Sequence, residues 1–128
     1  MVVQNKVLLY LLVFLGSGIG GLFRFFISNS VSPFYPSFPM GTLIVNLLGM
    51  FFVGLLSVWF IEKNLVQSPI REMILIGFLG GFTTFSTFGN ESFSLLNQNR
   101  YPELFFYLSG NLFLGFGLLL IGRNLATR

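Results

Sequence analysis

Three groups of residues in this chain have the types and the spacing for chemistry. Thr42, Asn46 and Gly49 fall at i, i+4 and i+7, which on a helix sets a hydroxyl, a carboxamide and a bare backbone patch on one face. The segment from Thr83 to Ser92 gathers five hydroxyls, the amide of Asn90 and the carboxylate of Glu91, and within it Phe85 and Phe88 stand three apart. Tyr107 and Asn111 are four apart, with Gly115 one turn further on. Hydroxyls, amides and phenyl edges, which carry the positive part of the ring quadrupole, can replace water around a small anion. No histidine base, thiolate nucleophile, disulfide or zinc site is available, because there is no Asp, His or Cys and the acids are Glu62, Glu72, Glu91 and Glu103 alone. Each group has a plainer reading beside this one. Asn46, Tyr107 and Asn111 can be interhelical hydrogen bonds, often worth only about 1 kcal/mol in a membrane, and the two phenylalanines can be packing.

The elements that must position these groups follow from composition. Of 128 residues 54% are hydrophobic and only 9% charged, more apolar surface than a soluble domain of this size can bury. The expected fold class is an all-α membrane protein, one domain over 1–128, with four transmembrane helices at about 7–27, 41–61, 70–97 and 101–122. Lys6 and the apolar run after it would also suit a secretory signal, a reading that three further spans make immaterial. Residues 28–40 carry three prolines and four serines and read as an irregular link. Ser68 and Pro69 read as the cap and first turn of the third helix, and Pro102 with Glu103 as the start of the fourth. The third span has only ten apolar residues before the polar segment begins, so it is expected to break mid-membrane near 80–84, which is tolerated only where protein or a wet cavity covers the backbone.

Gly16 to Gly21 spells G-x-G-x-x-G, but neither a preceding strand nor a following acid supports a dinucleotide site. Gly16 with Gly20, and Ser17 with Gly21, instead share helix faces suited to close packing. The net charge of +3 comes from seven basic residues scattered singly, which is no nucleic-acid surface.

Taken together, Gly20-Gly21-x-x-Arg24, Gly41-Thr42-x-x-Val45-Asn46 and the block from Gly80-Gly81 through Thr83-Thr84-Phe85-Ser86-Thr87-Phe88 resemble the small bacterial fluoride channels of the Fluc or CrcB family. The resemblance implies a fluoride-selective channel giving passive export and protection from fluoride toxicity, in the bacterial cell (inner) membrane. It implies an antiparallel, dual-topology homodimer with two pores and a structural sodium ion at its centre. By motif position Phe85 and Phe88 resemble the pore phenylalanines, Asn46 the pore asparagine, Ser86 and Thr87 part of a polar track, and Tyr107 its tyrosine. Asn111 stands where a serine is often found. Thr42, Glu91 and Arg24 resemble vestibule residues, and Gly80 and Thr83 the positions whose carbonyls hold sodium.

The charges are less even than dual insertion suggests. Lys6, Lys63, Arg71, Arg123 and Arg128 fall on the amino-terminal side and Arg24 and Arg100 opposite, which favours cytoplasmic termini. Two rival readings remain. A small proton-coupled exporter needs a carboxylate in its first helix, and no acid precedes Glu62. A purely structural subunit would use the polar segment for helix contacts alone.

Overall fold

The computed structural model describes residues 5–128. Among the described residues the chain is all-helical, and four helices are long and apolar enough to cross a membrane: Lys6–Phe34 (α1), Met40–Glu62 (α2), Ile70–Asn97 and Tyr101–Thr127 (α5). The third is interrupted at residues 83 and 84, which divide it into α3 (70–82) and α4 (Phe85–Asn97). Large apolar side chains point outward along every span, Phe14, Phe26 and Phe113 among them, as a lipid-facing surface requires.

Several helix ends differ from the sequence reading, for local reasons. The expected link at 28–40 shrinks to 35–39, because α1 continues through Val31 into a 3₁₀ turn, Ser32–Phe34. Its serines do not break it. Ser30 Oγ donates to the Phe26 carbonyl and Ser32 Oγ to that of Ser28, both at 2.8 Å, so the hydroxyls are tied back to the helix that carries them. The capping position of α3 is Pro69 and not Ser68. Arg100 precedes Pro102 and Glu103 in the first turn of α5 as expected, but that helix runs to Thr127, beyond the expected 122.

Two glycine seams hold the bundle together. Gly16 and Gly20 of α1 lie against the α3 backbone at Met73 and Phe78, while Gly77 and Gly81 of α3 lie against the α1 backbone at Val13 and Ser17. The register advances in the same direction on both, so α1 and α3 run parallel. Gly54 of α2 meets the Leu119 carbonyl of α5, and Gly122 of α5 meets that of Phe51, a second parallel seam. With no hydrophobic drive between helices in lipid, close backbone approach of this kind supplies the van der Waals contact that joins them. Gly21 lies at the margin of the first seam, where an added Cβ would meet Arg24 and the Gly81 carbonyl only at 3.8 and 3.9 Å.

Three stretches are π-helical: Val58–Glu62, Met73–Phe78 and Gly110–Leu114. The last lies in α5 beside the polar residues of interest. A side chain at Gly77 would have to enter the α1 backbone, whereas one at Gly18 meets nothing within 4 Å. Gly77→Val is therefore expected to destabilise the protein by about 1–3 kcal/mol and Gly18→Val far less. Loss of the monodisperse species on heating in detergent measures both, and equal sensitivity would sink the seam argument.

Candidate functional site

Where α3 stops, its backbone must find new partners. Thr83 (φ −83°, ψ 156°) and Thr84 (φ −146°, ψ 124°) are extended, and the helix restarts at Phe85 with Thr84 as its cap: the Thr84 hydroxyl accepts the Thr87 N–H at 3.2 Å. Thr83 Oγ1 donates back to the Leu79 carbonyl at 2.9 Å. Arg24 Nε donates to the Gly81 carbonyl at 3.1 Å, setting a cation at the negative end of α3.

The remaining groups are met from α2. Asn46 Oδ1 accepts the Thr84 N–H at 2.9 Å, and Asn46 Nδ2 donates to the Thr84 carbonyl at 3.2 Å and to Asn111 Oδ1 at 2.8 Å. Asn111 Nδ2 donates to the Tyr107 carbonyl one turn back along α5, at 2.9 Å. One turn from Asn46, bare Gly49 accommodates the Thr83 methyl, which a Cβ there would strike. The Thr42–Asn46–Gly49 face of α2 is thus the surface on which the broken helix rests.

A cavity of about 320 Å³ opens at the break, lined by Asn46, Thr83, Thr84, Phe85, Phe88 and Asn111 with apolar residues of α2 and α5. Phe85 is 83% exposed and Phe88 only 9%, their rings 5.7 Å apart. One helical turn along α4, Glu91 receives hydrogen bonds from Tyr107 (2.5 Å) and Thr42 (3.0 Å), and the Tyr107 side chain is fully buried. Glu91 also lines a second cavity of about 280 Å³ with Ser94, Gln98, Arg100 and Ser32. The two cavities therefore follow each other along α4, separated by Phe88, Tyr107 and the Thr42–Glu91–Tyr107 network.

The structure brings Asn46, Phe85, Phe88 and Asn111 into one cavity and joins Thr42, Glu91 and Tyr107 in a second cluster. Ser86 and Thr87 surround the Thr84 hydroxyl, at 3.4 and 3.1 Å, but do not line that cavity. Arg24 lies apart from Thr42 and Glu91, at the end of α3, where unpaired carbonyls draw it. Thr84 was missed as a site residue. Its signal was its place as the second of two adjacent threonines after the double glycine, each of a type that caps a helix.

The break also bears on a cation site. Thr84 N–H goes to Asn46 and Thr87 N–H to a hydroxyl, so the carbonyls of Gly80 and Thr83 lack the donors that an unbroken helix would give them. Such oxygens suit a hard cation. Gly80 faces open space, and among the described residues no group of three carboxylates, histidines or cysteines offers an alternative.

The sequence profile described as "CrcB-like protein, Camphor Resistance (CrcB)" matches residues 11–123. A "Fluoride-specific ion channel FluC" of Hydrogenobaculum sp. (strain Y04AAS1) is 40% identical over 116 residues, 91% of this chain and 95% of that protein. Proteins of the same description from Aquifex aeolicus (strain VF5) and Phocaeicola vulgatus are 40% and 42% identical, over 86% and 82% of this chain and 90% and 87% of theirs.

Because Tyr107 and Thr42 both donate to one carboxylate, removing either leaves a half-buried acceptor short of a partner, at about 1 kcal/mol. Tyr107→Phe and Thr42→Val should each lower stability, and the double variant should depart from the sum of the two by at least about 0.5 kcal/mol. Strict additivity in detergent melting curves would show that Glu91 does not couple them.

Proposed function

The chain belongs to the CrcB-like family, and on that footing we propose that this multi-pass membrane protein is a passive, fluoride-selective ion channel, and no enzyme, that lets fluoride leave the cell and so limits its toxicity. The observation that carries the reading is the cavity at the break, where two phenyl rings and the Asn111 amide meet with no carboxylate among the lining residues. A dehydrated anion needs donors and weakly positive ring edges, held firmly enough to replace water and loosely enough to let go.

The route runs along α4. Asn46, Phe85, Phe88 and Asn111 line its middle, Ser86, Thr87 and Tyr107 carry the polar track, and Thr42 and Glu91 mark the approach through the second cavity. Arg24 acts through its charge, raising anion concentration near the break. The outward face of α4, with Phe85 83% and Phe93 59% exposed and Gly89 open, would be completed by a second copy. An antiparallel homodimer in the bacterial inner membrane, inserted in both orientations, meets that need. The freed carbonyls of Gly80 and Thr83, brought together from two copies, would hold a sodium ion. When bound it would neutralise the partial charges that the break exposes.

Purified protein in liposomes should release fluoride and retain chloride. Phe85→Ile and Phe88→Ile should each slow release by about 3–10-fold, the kinetic equivalent of one ring interaction, with folded protein preserved. No release from the wild-type chain would overturn the channel reading; loss of folded protein in step with flux would assign the rings to packing.

A further inference from the structure

An ion that reaches the break through the second cavity has to pass the Glu91 carboxylate, whose hydrogen-bond donors, Tyr107 and Thr42, are neutral. We infer that Arg100 is the charge that offsets Glu91 at this mouth and that Glu103 restrains it, so that the Arg100–Glu103 pair sets how readily fluoride enters. The inference deepens the channel reading and rests on it for the flux it predicts.

Among the described residues that line this cavity of about 280 Å³, Glu91 is the one carboxylate and Arg100 the one cation. Like charges about 7 Å apart repel enough, even in water, to lower a local ion concentration about threefold, and more in the lower dielectric of a protein mouth. Without a cation Glu91 would deplete its own cavity of anions. The backbone is what puts Arg100 there. Asn99, at φ 57°, reverses the chain between α4 and α5 in a left-handed conformation that asparagine tolerates. The Arg100 N–H then donates to the carbonyl of buried Leu95 at 2.9 Å, and its own carbonyl accepts the Leu104 N–H at 3.0 Å. The side chain is only 25% exposed, so it lies along the protein and not out in water.

Glu103 holds the guanidinium at one end. Nε and Nη2 both donate to Glu103 Oε1, at 3.3 and 3.1 Å, and Nη1 takes no part in that pair. Glu103 stands in the first turn of α5, does not line the cavity and is the more exposed partner at 39%. Water screens such an attraction, and holding two long side chains in one geometry offsets much of what is left. The pair therefore dilutes the charge of Arg100 without locking it in place. An anion in the cavity competes with Glu103 for the same guanidinium, and with Glu103 neutralised the whole charge would act on the cavity.

Initial fluoride efflux from liposomes, at fluoride well below saturation, separates a charge at the mouth from a structural tie. At about 0.01 M impermeant salt, where the screening length is about 30 Å, Arg100→Gln should slow efflux about threefold and Glu103→Gln should speed it by up to the same factor. Arg100→Lys, which keeps the charge without the fork, should restore most of the loss. At about 1 M salt, where the screening length is about 3 Å, both effects should vanish. A tie that only braces the turn at 97–101 would give losses of the same sign in both neutral variants, unmoved by salt, and that result would overturn the inference. So would Arg100→Gln matching the wild type at low salt. Should Arg100→Gln yield no folded protein, Glu103→Gln decides alone: faster efflux at low salt only supports the inference, and unchanged or slower efflux sinks it. A wild-type chain that passes no fluoride at either salt would overturn the channel reading and this inference with it, whereas salt-insensitive variants of a working channel would overturn the inference alone.

Discussion

A helix can be interrupted inside a bilayer only if every peptide group it abandons finds another partner, and this structure is organised around meeting that condition. The interruption spans two residues, Thr83 and Thr84, yet it draws on most of the bundle. Asn46 on α2 serves both polar groups of Thr84, Arg24 on α1 takes the Gly81 carbonyl, and Thr84 itself caps α4. Each unsatisfied group would cost several kcal/mol in hydrocarbon. Polar residues on three different helices are therefore fixed in place by one local defect, and the cavity lies where they converge.

The glycine seams set the distance at which this can happen. Side chains as short as asparagine bridge two helices only when the backbones are close, and Gly54 with Gly122 brings α2 and α5 to that separation below the Asn46–Asn111 pair. Gly16, Gly20, Gly77 and Gly81 do the same for α1 and α3, which carries the Arg24 guanidinium to the end of α3. Packing and polar chemistry are not separate layers here. The seams are what make the hydrogen bonds geometrically possible, and the hydrogen bonds fix the register of the seams.

Much of this was legible beforehand. Four spans, the break near 80–84 and the polar faces of α2 and α5 follow from hydropathy, from ten apolar residues where twenty are needed, and from i, i+4 spacing. Spacing names a face but not the partner opposite, which is why Asn46 and Asn111 were each recognised while their mutual bond was not. The partner of Arg24 was hidden for a similar reason: its pull toward the carbonyls of α3 depends on a residue 57 positions away. The serines at 30 and 32 misled because hydroxyls favour both turns and back-bonded helix, and composition does not distinguish the two. Nothing in local sequence marks the π-helical stretches.

One of those stretches constrains how α5 can vary. Within Gly110–Leu114 the Gly115 N–H reaches back five residues to the Gly110 carbonyl, so this turn holds one residue more than an ordinary one. Above it α5 presents Tyr107 to Glu91; below it the helix presents Gly115 and Gly122 to α2. If that turn tightened to 3.6 residues with its residue count kept, everything downstream would swing by about 100°, sending Gly122 away from Phe51, whereas losing one residue as it tightened would leave the phase where it is. Residue count and turn width are therefore tied to each other by the angular phase between two neighbours, and one can change only with the other.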